Sequence, residues 1–135
     1  MVILLIDMKF YIASRVKNKE LVKSIHQKLI DSGHTVLSTW VYGKNYSPYE
    51  NHIEESKILA KECLEDINEC DVFILISDES GSGMYTELGV ALSKSFENKI
   101  KIYIVGDYIN QSVFFFYPGV KRFKTIDEVF EDLSI

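Results

Sequence analysis

The stretch that decides the fold is Val72-Phe-Ile-Leu-Ile-Ser77, followed two residues later by Ser80-Gly-Ser-Gly-Met-Tyr-Thr-Glu-Leu-Gly89. The first part is the most apolar strand-like run in the chain. The second part leads from a turn of small residues into a helical pattern. Open α/β folds build ligand sites from such a unit, because glycines let a ligand approach the backbone and the free N–H groups of the helix face it. The stretch therefore predicts an α/β protein with a ligand site at residues 80–89.

Strand-like and helix-like segments alternate on both sides of this stretch. Strands are predicted at residues 9–14, 35–40, 72–77, 101–105 and 120–124, and helices at residues 18–32, 52–69, 84–96 and 126–133. This alternation indicates a parallel sheet with helices on both faces. We expect a three-layer α/β fold of the flavodoxin or Rossmann-like type, with a five-stranded parallel sheet in the order 2-1-3-4-5.

The expected strand order brings two distant segments together. Its switch point lies between strands one and three, so the carboxyl ends of these strands are neighbours. Those ends carry Ser14-Arg15 and residues 80–87. Arg15 begins helix one, where a cation is unfavourable unless an anion lies beside it. We therefore expect Ser14 and Arg15 to contact a ligand, with an anionic group such as phosphate near Arg15.

Glu87 is the candidate for chemistry at this site. We place it in the first turn of helix three, where the helix dipole would keep its carboxylate ionised at neutral pH. An ionised carboxylate can attack an anomeric carbon and form a covalent glycosyl intermediate. The alternative is that Glu87 only complements the dipole. Tyr11, on strand one, either hydrogen-bonds Glu87 or the substrate, or simply packs in the core.

The turn before Glu87 matches neither of the two common phosphate-binding motifs. Gly81-Ser-Gly83 lacks the Lys-Ser/Thr ending of a Walker loop and the spacing of a dinucleotide fingerprint. Ser82 either donates to a phosphate or sugar hydroxyl, or caps the helix. Elsewhere, we expect Trp40 and Tyr42 to form a lid or stack on a base, and residues 114–116 to form a dimer interface.

Composition limits the classes of function. The chain has 135 residues with 47% hydrophobic and 26% charged, which suits one globular domain over residues 1–135. Its net charge of −5 argues against non-specific nucleic-acid binding, which needs a basic surface. Cys63 and Cys70 lie two helical turns apart, too far for a disulfide, and offer no metal quartet. We therefore expect reduced thiols, a cytoplasmic location and no metal.

Two further expectations concern scattered residues. His26, His34 and His52 show no ligand spacing and are expected on the surface. Residues 1–7 lack the features of a signal peptide or a membrane span. They either extend strand one, or lie upstream of a start at Met8.

Three segments resemble the nucleoside 2-deoxyribosyltransferase superfamily. They are Phe10-Tyr-Ile-Ala-Ser-Arg15, the segment from Glu62-Cys-Leu-Glu-Asp-Ile67 to Val72, and Gly83-Met-Tyr-Thr-Glu-Leu-Gly-Val-Ala91. The last is the most specific, and the likeness covers nearly the whole chain from Met8. It implies a Rossmann-like fold and cleavage or transfer at the N-glycosidic bond of a (deoxy)nucleoside or nucleoside 5′-monophosphate.

The resemblance also implies roles for particular residues. Glu87 would be the nucleophile at C1′, and Ser14-Arg15 and Gly81–Gly83 would contact phosphate or sugar. No cofactor is implied. A homodimer or larger homo-oligomer is implied, in which residues 110–112 of a neighbour, including Asn110, complete the pocket.

One position departs from the superfamily's pattern. Members usually carry an aspartate in helix two where this chain has Cys63, and Asp66 one turn later is expected to replace it or else the activity is altered. Two alternatives therefore stay open. One is a TIR-like NAD glycohydrolase, and the other is a non-catalytic nucleotide-sensing module on the same fold.

Overall fold

The computed structural model describes residues 6–97 and 99–135. Five parallel strands form one sheet in the order β2-β1-β3-β4-β5, so the predicted fold class and strand order are confirmed. The strands are β1 (Lys9–Ala13), β2 (Thr35–Val36), β3 (Val72–Ile76), β4 (Lys101–Val105) and β5 (Val120–Phe123). The helices are α1 (Lys19–Asp31), α2 (Ile53–Glu69), α3 (Gly83–Lys94) and α4 (Ile126–Leu133).

The helices form layers on both faces of the sheet. Successive strand residues point to opposite faces, and β3 is buried along its whole length. One core contains Phe10 and Ile12 of β1 together with residues of α1 and α4. The other contains Tyr11 and Ala13 together with residues of α2 and α3. Tyr11 therefore faces α3, the helix that carries Glu87.

The second strand is shorter than predicted. It ends at Val36, and residues 39–42 form a 3-10 turn instead of a strand continuing to Trp40. Polar side chains explain the change, because they replace the strand's backbone hydrogen bonds. The backbone N–H of Ile12 donates to the Ser38 hydroxyl at 3.0 Å, and the Trp40 indole N–H donates to the Ile12 carbonyl at 3.0 Å.

The prediction that His26 lies on the surface is wrong. Its side chain is fully buried beneath the 39–42 turn. Nε2 lies 2.7 Å from the Ser38 hydroxyl and Nδ1 lies 3.0 Å from the Tyr42 hydroxyl. Burial lowers the pKa of His26 to about 4, so the imidazole is neutral at physiological pH. His26 lies about one helical turn from buried Val22 and Leu29, but helical spacing could not reveal its two hydrogen-bond partners.

Two further expectations are changed or remain outside the described residues. Phe115 is buried in the core beside α3, so the prediction of an interface at residues 114–116 is wrong for this residue. Phe114 and Phe116 are exposed. Residues 1–5 lie outside the described residues. Asp7 accepts a hydrogen bond from the Thr35 hydroxyl at 3.0 Å.

Candidate active site

A cleft of about 430 Å³ opens at the carboxyl ends of β1 and β3. The switch point of the sheet is where the sequence placed the ligand site. Segments from the β1–α1 connection, the 39–49 region, α2 and the start of α3 form its walls. Most of the predicted site residues line it: Ser14, Arg15, Trp40, Gly81, Ser82, Gly83 and Glu87.

Glu87 and Tyr11 form a hydrogen-bonded pair at this cleft. The Tyr11 hydroxyl donates to Oε2 of Glu87. Tyr11 is also fully buried, and its ring stacks on Phe73 with centroids 5.8 Å apart. The two roles considered for Tyr11 therefore coexist, because the ring fixes the hydroxyl and the hydroxyl orients the carboxylate.

The expected position and charge of Glu87 need correction. Because α3 begins at Gly83, Glu87 lies in its second turn, and the first turn holds no acidic residue. The helix dipole weakens beyond the first turn. Burial raises the pKa of Glu87 to about 7, although the Tyr11 hydrogen bond acts in the opposite direction. The carboxyl group is thus divided between its two protonation states at neutral pH, rather than fully ionised.

The groups next to Glu87 stay neutral. Burial raises the pKa of Tyr11 far above its ordinary value, and the neighbouring Glu87 and Cys63 add to the effect. Cys63 projects from α2 into the cleft. Burial raises the pKa of its thiol; the Tyr11 hydrogen bond lowers it, and the charge of Glu87 raises it further. Tyr11 is therefore a hydrogen-bond donor and Cys63 a protonated thiol at physiological pH.

Arg15 lines the cleft beside an acidic partner that sequence reasoning missed. Its Nη1 lies 3.5 Å from Oδ1 of Asp78, and Lys17 Nζ lies 3.1 Å from Oδ2. Burial opposes ionisation of Asp78, but the hydrogen bonds from Lys17 and the Glu79 backbone, with the charge of Arg15, hold its pKa below the usual value. The anion required beside Arg15 is thus supplied by the chain itself. Two cations share one carboxylate, which leaves one positive charge at this end of the cleft.

The turn before α3 packs against Arg15. Gly81 has φ +141°, and a Cβ there would lie 3.2 Å from Cγ of Arg15 and 2.9 Å from Cε of Met84. Glycine permits both this conformation and this close approach. Ser82 occupies the N-cap position of α3, yet its side chain makes no capping hydrogen bond. Its exposed hydroxyl and the first N–H groups of α3 therefore face the same end of the cleft as Arg15.

Two predicted residues lie outside the cleft of their own chain. Asp66 lines a neighbouring depression of about 220 Å³, which shares Trp40 and Cys63 with the cleft. Asn110 is exposed, and its side-chain oxygen accepts a hydrogen bond from Arg122. The structure therefore separates Asp66 and Asn110 from Glu87 within one protomer.

Comparisons with known proteins place the fold. No family model and no curated protein matches the chain. Among solved structures, it is similar to the structure of Clostridium botulinum CMP N-glycosidase, BcmB, with a TM-score of 0.62 and 17% sequence identity. The match covers 94% of this chain and 99% of that chain. The two proteins share one fold. The Rossmann-like fold implied by the sequence resemblance is confirmed on this basis.

The residues missed at the sequence level have recognisable signals. Asp78 directly follows β3, at the edge where the switch point lies, and Lys17 follows Arg15. A carboxylate after one neighbouring strand and two cations after the other suggest pairing.

Within residues 6–97 and 99–135, no group of three or more His, Cys, Asp or Glu could hold a metal ion. None of the described helices is long and apolar enough to cross a membrane.

Proposed function

We propose that this protein cleaves or transfers at the N-glycosidic bond of a (deoxy)nucleoside or nucleoside 5′-monophosphate, with Glu87 as the nucleophile. The hydrogen bond between Tyr11 and Glu87 at the switch-point cleft carries this proposal. A carboxylate held in this way can attack C1′ and form a glycosyl ester. The fold shared with a CMP N-glycosidase supports the same reaction class.

The proposed reaction has two steps. Ionised Glu87 attacks C1′ while the C1′–N bond breaks. The electron pair of the C1′–N bond leaves with the base. Water, or a second base, then attacks C1′ and releases the carboxylate. Tyr11 keeps Oε2 in place throughout, which leaves Oε1 for attack. The burial that raises the pKa of Glu87 also leaves its charge poorly solvated, so positive charge developing on the sugar is stabilised.

The other groups of the cleft suggest how the substrate binds. Arg15 and Lys17 provide one uncompensated positive charge, and the N-terminus of α3 provides N–H groups beside Ser82. Together they suit the 5′-phosphate of a nucleotide. Ser14 and Gly81 bring the backbone of two segments to the same place, and the Trp40 ring offers a surface on which a base can stack. The reaction needs no cofactor.

We also propose a homodimer formed through a groove between α3 and the 108–118 loop. The groove has a volume of about 640 Å³ and is lined largely by apolar side chains, including Phe96 and Phe114. These two are 72% and 64% exposed. In the dimer, residues 110–112 of the second copy would reach the cleft, which gives Asn110 a role that it lacks within one protomer.

The free thiols of Cys63 and Cys70 support a reducing, cytoplasmic compartment.

The decisive experiment is chromatography of reaction mixtures containing nucleosides, nucleoside 5′-monophosphates and NAD. The wild type is expected to release a base, and Glu87→Ala and Glu87→Gln are expected to lose release by at least about a thousandfold. Glu131→Gln removes an exposed carboxylate on α4, away from both the cleft and the groove, and should retain activity. Full activity in Glu87→Gln contradicts the nucleophile assignment. Nicotinamide release from NAD, without base release from any 5′-monophosphate including nicotinamide mononucleotide, favours the TIR-like alternative. Tight binding without turnover favours the sensing module.

A further inference from the structure

Among the described residues, Glu87 is the one carboxylic acid that lines the cleft. Within the described part of the chain, the titratable side chains that line it are Arg15, Lys17, Tyr49, Cys63 and Glu87. Thiols, phenols and ammonium groups have reference pKa values of about 8.5 to 10.5. General acids work best when their pKa lies near the operating pH. Cys63, the side chain beside Glu87 and Tyr11, is further weakened as an acid by its burial.

Carboxylates bring negative charge close to Cys63. Glu87, Asp66 and Glu62 all act on the thiol by raising its pKa, as negative charges do. Glu62 and Asp66 line the neighbouring depression rather than the cleft, so they contribute charge there but do not face Glu87. The two cations, Arg15 and Lys17, are held by Asp78.

This arrangement constrains the leaving base. When the C1′–N bond breaks, its electron pair stays on the base nitrogen. A neutral base then leaves as an anion unless an acid protonates it, and an anion is disfavoured near Glu62 and Asp66. A base that already carries a positive charge leaves as a neutral molecule, and needs no proton. Its positive charge moves to the sugar, toward the Glu87 carboxylate.

We infer that the cleft selects N-glycosides whose leaving base is positively charged, such as a ribosylated pyridinium or a quaternised purine. This inference rests on the proposed function. An oxygen of Glu87 forms a bond to C1′ as the C1′–N bond breaks and the electron pair neutralises the base. Water then attacks C1′, its proton passes to solvent, and the Glu87 carboxylate is released.

The test uses two pairs of 5′-monophosphates that differ in the charge of the base. One pair is nicotinamide mononucleotide and CMP, and the other is N7-methyl-GMP and GMP, each corrected for hydrolysis without enzyme. A general acid is worth about 10² to 10⁴ in rate. We therefore expect wild-type kcat/KM to be at least about a hundredfold higher for the charged member of each pair.

Cys63→Asp tests the cause of the preference, because it installs an acid beside Tyr11 and Glu87. It is expected to raise kcat/KM for CMP and GMP by about tenfold or more relative to the charged substrates. Cys63→Ser, which adds no comparable acid, should leave the ratio within about threefold of wild type. The pH profile gives a second readout. With charged bases it should rise as Glu87 ionises, without a falling limb, whereas Cys63→Asp acting on CMP should give a bell-shaped profile.

A leaving-group series tests the inference on the wild type alone, should Cys63→Asp not fold. UMP and its 5-substituted analogues, whose bases are neutral, should show a steep dependence of kcat/KM on the acidity of the leaving uracil, because no acid in the cleft protonates the departing anion. Equal kcat/KM values of the wild type for the two members of each substrate pair would overturn the inference. If Glu87→Ala then lost both activities, the proposed function would still stand. Release of no base from these four substrates or from the nucleosides tested above would overturn the proposed function, and this inference with it.

Discussion

The folded protein is less stable when the carboxyl group of Glu87 is ionised than when it is protonated. This carboxyl group accepts a hydrogen bond from Tyr11, lies largely away from water, and has no cationic partner among residues 6–97 and 99–135. Burial raises the pKa of this residue to about 7 from an ordinary value near 4.5. Between pH 4.5 and pH 7, therefore, Glu87 still holds its proton in the folded protein but has lost it in the unfolded chain. Stability contributed by the protonated form is present below pH 4.5 and lost as pH rises through 7.

Glu87→Gln should therefore stabilise the protein at high pH. The amide keeps an oxygen that can accept from Tyr11 but cannot ionise. We expect the free energy of unfolding of Glu87→Gln, relative to wild type, to increase by about 2 kcal/mol between pH 5 and pH 8. Urea unfolding at both pH values measures the difference. Glu79→Gln, at an exposed position, is the matched control. An identical pH dependence for wild type and Glu87→Gln would contradict the environment described for this carboxyl group.

The convergence of the β1–α1 connection and the turn before α3 at one cleft could be predicted from the sequence, but the ionisation of Glu87 could not. Strand order alone brought Ser14-Arg15 to the turn before α3, and the alternation of β1 left Tyr11 able to face Glu87. The pKa of Glu87 depends on how β1, α2 and α3 together exclude water, which no local pattern contains. Asp78 was missed for a related reason, because a carboxylate after a strand also suits an ordinary turn.

At the scale of elements, the 39–42 turn shows side chains determining backbone structure. Residues 35–40 contain β-favouring residues, so a strand was the natural prediction. Ser38 and Trp40 instead bond to the two backbone groups of Ile12, and buried His26 holds Ser38 and Tyr42 from α1. The turn positions Trp40 at the cleft. Prediction failed here because the competing hydrogen bonds join residues that are 12 to 28 positions apart.

His26 should make the fold sensitive to acid. Its pKa is about 4 in the folded protein, against an ordinary value of 6.5, so the unfolded chain binds more protons between these values. Stability is complete above pH 6.5 and is lost as pH falls through this window. We expect this residue to cost wild type about 2 kcal/mol of unfolding free energy between pH 7 and pH 5.

His26→Gln removes the titration while retaining hydrogen-bonding groups. It should be less stable than wild type at pH 7, yet lose about 2 kcal/mol less on acidification to pH 5. Urea unfolding of both proteins at both pH values gives this difference, and subtraction removes the opposite contribution of Glu87. His52→Gln, at an exposed position, should lose as much unfolding free energy between pH 7 and pH 5 as wild type does. Parallel losses in wild type and His26→Gln would show that the imidazole does not titrate as described.

At the scale of the whole molecule, the cleft and the apolar groove lie on either side of α3. Glu87 and Met84 line the cleft, whereas Gly89 and Leu92 line the groove. Phe115 joins the 108–118 loop to the core, while Phe114 remains exposed above the groove. The sequence showed that these aromatic residues needed a partner. It could not distinguish the residue that packs inside from its neighbours, because the loop has no regular period.

Phe114→Glu should therefore separate the proposed homodimer into monomers. Burial of a phenylalanine side chain contributes about 1.5 to 3 kcal/mol, and a buried unpaired carboxylate costs more than that contribution returns. We expect sedimentation at micromolar concentration to give a dimer for wild type and a monomer for Phe114→Glu. Leu21→Glu introduces the same charge at an exposed apolar position on α1, outside the groove, and should remain dimeric. If residues 110–112 of the second copy complete the cleft, base release by Phe114→Glu should fall and should recover as protein concentration rises. A wild type that stays monomeric at every protein concentration tested would contradict the interface. A Phe114→Glu variant that stays dimeric would contradict it too, because nothing in the variant compensates for a charge placed in an apolar contact.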